Sequence, residues 1–285
     1  MELAFKPLHP MFAAETESIN LVGLDEAECF SAIRAAMDRY AVLVFRNQHF
    51  DDRSQLEFAR KFDGLLHEKT GIAALTKNRF GLEALTDISN VDGDGKLLEV
   101  DDRRRQYGLA NRLWHTDASF EDPPGRYSML STRVLPAASP NTEFADMRAA
   151  YDALSSERQQ ALTELKAHHS IAYSRQVLGF EFSAAEANKL EGAIQPLIRV
   201  NSATGRKALY LASHCSRIVD WPLPDGRLLL RDLIDHATQR QFVYSHAWQA
   251  GDCVIYDNRA TMHRALPFDD TRQKRELRRV TTLDV

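Results

Sequence analysis

The stretch Asn111-Arg-Leu-Trp-His-Thr-Asp-Ala-Ser-Phe120 holds His115 and Asp117 inside a short apolar and aromatic run. If this run is extended, residues i and i+2 project from the same face, so the imidazole and the carboxylate would point at one spot. We interpret the pair as two ligands of a metal site, with His263 as the best distant third ligand. Such a set occupies one face of an octahedral metal and leaves the opposite face open, which is typical of non-haem iron(II) oxygenases.

The pair of His115 and Asp117 also has interpretations without iron chemistry. Because the chain contains ten histidines, chance alone produces one such pair about as often as not. In a non-catalytic metal-binding β-barrel, the two side chains would simply hydrogen-bond to each other. A metal-dependent hydrolase would use all three ligands, but it would leave Arg275, further along the chain, without a role.

A basic run over residues 272–281 forms a second group of interest. If it is extended, Arg275, Leu277 and Arg279 share one face, while Arg278 takes the other. Two guanidinium groups aimed into a cavity could hold two separate carboxylates by bidentate pairing. The alternative is a basic strand on the protein surface.

Composition and charge limit the function classes. The 285 residues are 44% hydrophobic and 27% charged, which is typical of a globular protein with a sizeable core. The net charge of -4 argues against general binding to nucleic acid or an anionic membrane, because both need a basic surface. Three cysteines without a Cys-x-x-Cys pair indicate a reducing compartment. Since no signal segment or long apolar run is present, we expect a cytoplasmic protein outside the membrane.

Strand-like and helical segments alternate along the chain. Apolar spacing predicts helices over 25–40 and 54–62, and Tyr256 and Trp248 are predicted to be core aromatics. Many short strands with turns between them, and with helices inserted, predict one domain over 1–285. This domain should be a β-sandwich or barrel with helical additions.

A mixed stretch from Leu66 to Phe80 lacks clear periodicity and carries several charges. Loops of this length within a compact domain are usually functional or disordered. We therefore interpret residues 66–80 as a loop or lid beside a substrate mouth.

Several motifs, spread over nearly the whole chain, resemble the Fe(II)/2-oxoglutarate-dependent dioxygenases of the taurine dioxygenase family. The combination is a His-x-Asp pair, a threonine downstream, and a histidine followed by two arginines. The matching segments are Trp114–Phe120, Asn141–Phe144, Asp146–Leu154, Trp248–Arg259, His263 and Arg275–Arg279. The family fold is a double-stranded β-helix, which is a jelly-roll, cupin-like architecture and agrees with a mainly β chain with α insertions.

The resemblance implies roles for five residues. His115, Asp117 and His263 would bind Fe(II). Thr142 and Arg275 would hold the distal carboxylate of the co-substrate 2-oxoglutarate, whose 2-oxo and C1 carboxylate oxygens would chelate the iron. One coordination position would then remain for O2, the second co-substrate.

The same resemblance implies contacts to the organic substrate. Arg279 would pair with its acidic group, and Asn111 would make a polar contact in the same pocket, as part of the cofactor-binding set. His67, Lys77 and His214 are further candidates for contacts to an acid group or an aryl ether.

Within the family, the chain resembles members that act on aryloxyalkanoates such as 2,4-dichlorophenoxyacetate. Hydroxylation of the carbon between the ether oxygen and the carboxylate would give a hemiacetal that collapses to a phenol and glyoxylate, with succinate and CO2 as co-products. The near alternative keeps this mechanism and changes the substrate to a sulfonate such as taurine or to a 2-aryloxypropionate. We also expect a homo-oligomer.

Overall fold

Apolar segments of the chain pair into β-sheets in the computed structural model, which describes residues 3–68 and 79–285. The strands in these ranges are β1 (Lys6–Pro7), β2 (Ala14–Thr16), β3 (Val42–Phe45), β4 (Thr86–Ser89), β5 (Gly125–Val134), β6 (Thr142–Asp146), β7 (Lys166–His169), β8 (Ala193–Pro196), β9 (Ile198–Val200), β10 (Lys207–Leu209), β11 (Cys215–Ile218), β12 (Val243–His246), β13 (Cys253–Asp257), β14 (Thr261–Ala265) and β15 (Glu276–Leu283). The helices are α1 (Ala27–Tyr40), α2 (Asp52–Asp63), α3 (Arg103–Leu109), α4 (Met147–Asp152), α5 (Ser156–Leu162), α6 (Ile171–Gln176), α7 (Ala184–Ala187) and α8 (Leu223–Ala237), with 3-10 turns at Ala110–Arg112 and Arg240–Phe242.

The largest sheet has the order β1-β2-β3-β13-β5-β15-β4. Its neighbouring strands are antiparallel except for β2 and β3, which are parallel. Every residue of β13 is buried, as expected of a central strand that is covered on both faces. A smaller sheet has the order β12-β6-β14.

The two faces of the large sheet contact different layers. On one face, Phe45 and Ile255 pack with the apolar side chains of α1 and α2, including Ile33. On the other face, Leu277 packs with Phe144 of the smaller sheet. The smaller sheet therefore lies over one face of the large sheet, and both sheets contribute residues to the layer between them.

Both predicted helices are confirmed, with small shifts at their ends. The segment predicted over 25–40 is α1, which begins at Ala27. The segment predicted over 54–62 is α2, which begins earlier because the Asp51 carboxylate accepts a hydrogen bond from the Ser54 N–H at 2.7 Å and caps the helix.

The prediction of an extended run over 111–120 is wrong on both sides of His115. Before it, Ala110–Arg112 forms a 3-10 turn. The chain turns after Thr116 because side-chain hydrogen bonds to Asn258 replace a strand ladder. Thr116 Oγ1 donates to the Asn258 carbonyl at 2.7 Å, and the Asp117 N–H donates to Asn258 Oδ1 at 3.0 Å. Asp117 therefore reaches the site from a turn.

The proposed lid over 66–80 lies mostly outside the described residues, which exclude 69–78 and with them Lys77. At its beginning, Leu66 forms an antiparallel bridge with Thr282, and the His67 N–H donates to the Thr281 carbonyl at 2.8 Å. The segment that leads into 69–78 is thus fixed to the end of β15.

Cys29, Cys215 and Cys253 all lie in the described part of the chain, and each is buried and free of disulfide bonds. Across residues 3–68 and 79–285, no helix combines the length and the apolar character that crossing a membrane requires.

We predict that His169 makes the free energy of unfolding depend on pH. Burial, followed by the neighbouring charges of His168 and Arg199, lowers the pKa of His169 to about 3, whereas an unfolded histidine titrates near about 6.5. The unfolded chain therefore binds more protons between these values, so stability falls as the pH decreases below about 6.5. Between pH 7 and pH 5 the loss from this residue is about 2 kcal/mol.

Urea unfolding of wild type and His169→Gln at several pH values checks this expectation. The variant should lose about 2 kcal/mol less than wild type between pH 7 and pH 5. Identical pH slopes for the two proteins would contradict the assignment.

Candidate active site

Two backbone hydrogen bonds hold His115 against His263. The N–H of each residue donates to the carbonyl of the other, at 3.0 and 2.7 Å, in an isolated antiparallel bridge. His263 lies in β14 opposite Phe144 of β6. The two imidazole centroids are 4.2 Å apart, and both side chains are buried. The sheet pairing thus brings two distant parts of the sequence to one point.

Asp117 completes this group. Its Oδ1 lies 3.9 Å from His115 Nε2 and 3.8 Å from His263 Nε2. One ligand atom from each of the three residues lies within 4.8 Å of the others. The structure therefore brings together the three residues that were predicted as metal ligands, and their donor atoms match those of non-haem iron(II) sites.

The protonation of the two histidines fits a bound metal ion. His115 Nδ1 lies 2.8 Å from the Leu113 carbonyl, a contact that requires an N–H, so the Nε2 lone pair faces Asp117 and His263. Burial holds the pKa of His115 well below its usual range and lowers the pKa of His263 to about 4. Both rings are therefore neutral at neutral pH, which is the form that coordinates metals.

The carboxylate of Asp117 is held through its second oxygen. Oδ2 accepts hydrogen bonds from Tyr256 Oη at 2.7 Å and from Ser128 Oγ at 2.8 Å. Ser128 Oγ in turn accepts from Asn258 Nδ2 at 2.9 Å. Burial would raise the pKa of Asp117, but the charge of Arg279, with the hydrogen bond from Tyr256, outweighs it and holds the pKa below its usual range. Asp117 is therefore ionised.

Arg279 contacts Asp117 directly, through Nη1 and the Oδ1 oxygen. Arg279 also lines the cavity, together with His115 and Asp117. The resemblance implies that Arg279 pairs with an acidic substrate, whereas the carboxylate that it contacts in the structure belongs to Asp117. The substrate role of Arg279 stays a prediction.

Arg275 is buried beside the site, and no described residue gives it a carboxylate partner. In the described part of the chain, its Nε and Nη2 atoms have no hydrogen-bond partner. Burial lowers its pKa to about 10, so the group remains cationic at neutral pH. Its guanidinium carbon lies 6.0 Å from the ring centroid of Trp248, whose Nε1 donates to Thr142 Oγ1 at 2.9 Å. Trp248 therefore links the two residues that were predicted to bind 2-oxoglutarate.

A cavity of about 250 Å³ is lined by His115, Asp117, Arg275 and Arg279. Asn111 lines it and accepts a hydrogen bond from Arg175 Nη2 at 3.3 Å. Its walls include the apolar side chains of Val91, Leu98, Leu109, Phe120, Ile171 and Phe268. Such a mixture of apolar walls and a few charged groups is typical of a site for a small amphipathic molecule.

The structure also places the other histidine candidates. His214 lines the cavity, with its ring centroid 5.9 Å from that of His115. His67 is buried, and burial, with a further contribution from Arg279, lowers its pKa to about 4. Lys77 lies outside the described residues.

Sequence reasoning missed several contacts in the site. Tyr256 and Trp248 are buried, as predicted for core aromatics, but their polar atoms hold Asp117 and Thr142. The position of Tyr256 on the strand before His263 is the sequence signal that could have indicated its contact with the site. Arg175 lies in α6, where no local pattern distinguishes a buried arginine from an exposed one.

We predict that Tyr256→Phe weakens metal binding roughly 10- to 100-fold, because Asp117 loses a hydrogen bond that orients its carboxylate. Anaerobic calorimetry with Fe(II) alone measures this effect. Tyr127→Phe is the matched control, since Tyr127 is also a buried tyrosine of the large sheet but does not contact Asp117. Equal Fe(II) affinity in wild type and Tyr256→Phe would contradict the assigned role.

Comparison with protein families gives one match to nearly the whole chain. Residues 4–281 match the model of the family described as "Taurine catabolism dioxygenase TauD, TfdA family". The matched segment contains every predicted site residue.

Sequence similarity to two curated relatives extends over most of the chain. The alpha-ketoglutarate-dependent 2,4-dichlorophenoxyacetate dioxygenase of Cupriavidus pinatubonensis (strain JMP 134) is 43% identical over 287 residues, with 100% of this chain and 99% of that protein covered. The (S)-phenoxypropionate/alpha-ketoglutarate-dioxygenase of Sphingobium herbicidovorans is 33% identical, with 94% of this chain and 91% of that protein covered.

A solved structure agrees with the fold. The crystal structure of AAD-2 in complex with Mn(II) and N-oxalylglycine is similar to this chain with a TM-score of 0.95 and 40% identity, and the match covers 100% of this chain and 99% of that chain. This similarity confirms the predicted double-stranded β-helix with helical insertions.

Proposed function

This chain belongs to the TauD, TfdA family of dioxygenases, and we propose that its substrate is an aryloxyalkanoate such as 2,4-dichlorophenoxyacetate. It is an oxidoreductase that depends on Fe(II), 2-oxoglutarate and O2. The proposed reaction yields a phenol, glyoxylate, succinate and CO2. Such a reaction is a step in the breakdown of phenoxy herbicides.

One observation carries this proposal. A single cavity is lined by His115, Asp117 and Arg275, and His263 completes the ligand group beside Asp117. Arg275 is buried and lacks a carboxylate partner in the described part of the chain. A buried guanidinium without a counter-charge is unfavourable. A dicarboxylate co-substrate bound beside the metal would supply that counter-charge.

The cofactors supply the oxidising power, since 2-oxoglutarate and O2 are converted at Fe(II) to succinate and CO2 while one oxygen atom enters the substrate. We propose that His115, Asp117 and His263 hold the metal, and that Arg275 and Thr142 bind the distal carboxylate of 2-oxoglutarate. Tyr256 keeps the ionised Asp117 in place through its hydrogen bond.

The protein itself positions the substrate and excludes water from the cavity. The apolar cavity walls suit an aryl ring, and the buried charges suit carboxylates. Hydroxylation next to the ether oxygen then needs only that the carbon between ether and carboxylate faces the metal. The resulting hemiacetal collapses to the phenol and glyoxylate without further help from the protein.

Other acidic substrates that would react by the same mechanism are the alternatives to an aryloxyacetate. Relatives include an enzyme named for (S)-phenoxypropionate and another named for sulfate esters, and an arginine fork accepts both carboxylate and sulfonate. A metal-dependent hydrolase or a non-catalytic metal-binding barrel gives Arg275 no function. The expected homo-oligomer stays a prediction, which light scattering of the purified protein checks.

We predict coupled release of phenol and succinate from an aryloxyacetate. Wild-type enzyme with Fe(II), 2-oxoglutarate and O2 is assayed against phenoxyacetates, 2-aryloxypropionates and taurine, and both products are quantified. The aryloxyacetate should show the highest kcat/KM, with one phenol per succinate. A higher kcat/KM for taurine would overturn the proposed substrate class.

We further predict that Arg275→Gln raises the KM for 2-oxoglutarate on the order of 100-fold, because a buried carboxylate loses its charged partner. The KM for the organic acid should change little. Arg278→Gln is the control, because Arg278 is also a buried arginine of this segment, but it pairs with Asp87 and Glu276 and does not line the cavity. An unchanged KM for 2-oxoglutarate in Arg275→Gln would refute the role.

A further inference from the structure

The arginines that line the cavity fall into two groups. Five of them form an ion pair with a carboxylate, namely Arg79, Arg104, Arg105, Arg112 and Arg279. Arg175 and Arg275 line the same cavity and have no carboxylate partner in the described part of the chain. Residues 69–78, which the structure does not describe, contain no aspartate or glutamate. Among residues 3–68 and 79–285, nothing gives these two guanidinium groups of the cavity a counter-charge.

Arg175 is held in place by neutral groups only. Its Nη1 donates to Ser174 Oγ at 2.9 Å, and its Nη2 donates to Asn111 Oδ1 at 3.3 Å. Its guanidinium carbon lies 4.5 Å from the ring centroid of Tyr107. Arg175 is 4% exposed, and its Nε and the Tyr107 hydroxyl have no hydrogen-bond partner among the described residues. A positive charge and an unused hydroxyl are thus buried side by side.

These neutral contacts do not compensate the desolvation of a guanidinium. Neutral hydrogen bonds and an aromatic face recover only part of the hydration that the buried cation has lost. Burial accordingly lowers the pKa of Arg175. An anion in the cavity would supply the missing partner, and it would bind strongly because water is excluded.

Arg175 is close to the metal-ligand group. Ser174 Oγ, which accepts from Arg175, is also hydrogen-bonded to His214 Nδ1 at 3.0 Å. The His214 ring packs edge-on near that of His115, with the ring centroids 5.9 Å apart. The Phe120 ring packs edge-on against His214 at 5.2 Å. A positive charge and an apolar surface therefore adjoin the same metal ligand.

This location matches the shape of an aryloxyacetate. The carbon that reacts is bonded both to the ether oxygen and to the carboxylate carbon. When that carbon faces the metal, the carboxylate lies only one bond further away. Its binding partner must therefore be a cation that lines the cavity near the metal ligands. Arg279 is already paired with Asp117, whereas Arg175 lines the cavity unpaired among the described residues and is linked to His115 through Ser174 and His214.

We propose that Arg175 binds the carboxylate of the organic substrate and that Asn111 orients Arg175 for this contact. Arg275 would then serve 2-oxoglutarate, while Arg279 neutralises Asp117. This inference rests on the proposed function, because it assumes an acidic substrate whose reacting carbon adjoins the acid group. It assigns the two buried guanidiniums without counter-charges to the two acids of the reaction.

The test compares an acid with its neutral amide. Affinities of 2,4-dichlorophenoxyacetate and 2,4-dichlorophenoxyacetamide are measured by anaerobic calorimetry on the enzyme loaded with Fe(II) and 2-oxoglutarate. Arg175→Met should weaken binding of the acid on the order of 100-fold and leave the amide within a few-fold of wild type. Arg175→Lys should restore part of the acid affinity, and binding of 2-oxoglutarate should be unchanged.

Arg199→Met is the matched control. Arg199 lies over the ring of Tyr210 at 4.9 Å, much as Arg175 lies over Tyr107, but it pairs with Asp284 and does not line the cavity. This variant should bind acid and amide as wild type does. An equal loss of acid and amide affinity in Arg175→Met would indicate a structural role and overturn the proposal.

Asn111→Asp gives an independent test if Arg175→Met does not fold. The new carboxylate would pair with Arg175, so the variant should melt at a higher temperature and bind the acid more weakly, with little change for the amide. Unchanged acid affinity in Asn111→Asp would contradict the proposal.

The outcomes also separate this inference from the proposed function. If Arg175→Met loses affinity for the acid but not for the amide, and wild type releases no phenol, the proposed reaction fails and Arg175 keeps its role. If wild type releases phenol and Arg175→Met binds the acid normally, only the inference fails. If wild type binds neither this acid nor a 2-aryloxypropionate or sulfonate, the inference is overturned together with the proposed substrate class.

Discussion

The reciprocal backbone hydrogen bonds between His115 and His263 are the constraint on which the site depends. They join a turn near the middle of the chain to β14 of the smaller sheet. Once the two imidazoles are fixed, Asp117 reaches them only because Asn258 holds the following turn. The metal site is thus a consequence of sheet pairing, and its rigidity comes from the backbone.

Charge balance is the second constraint. The cavity buries Asp117 against Arg279, so this pair is close to neutral. Arg175 and Arg275 add two positive charges that the described residues do not neutralise. A reaction that brings two acids to one metal would supply two negative charges. The folded protein is therefore electrostatically prepared for its ligands before they bind.

Local sequence patterns were enough to predict some features. The two-residue period of a strand placed Arg275 on the cavity side and Arg278 on the other, and apolar spacing predicted α1 and α2. Contacts between segments that lie far apart in the sequence could not be predicted from local patterns. The turn at Asp117 depends on a side chain far along the sequence, and nothing near Arg175 marks it as buried. The prediction of one domain over the whole chain stays a prediction.

The central claim is that the three-residue group and Arg275 together bind a metal and a 2-oxo acid. Its most direct test is an anaerobic titration of the protein with Fe(II) and 2-oxoglutarate, followed by visible absorption. A weak charge-transfer band, which appears only when both are present, is the predicted result, because a 2-oxo acid chelated to Fe(II) absorbs visible light. No band at saturating concentrations of both would contradict the account.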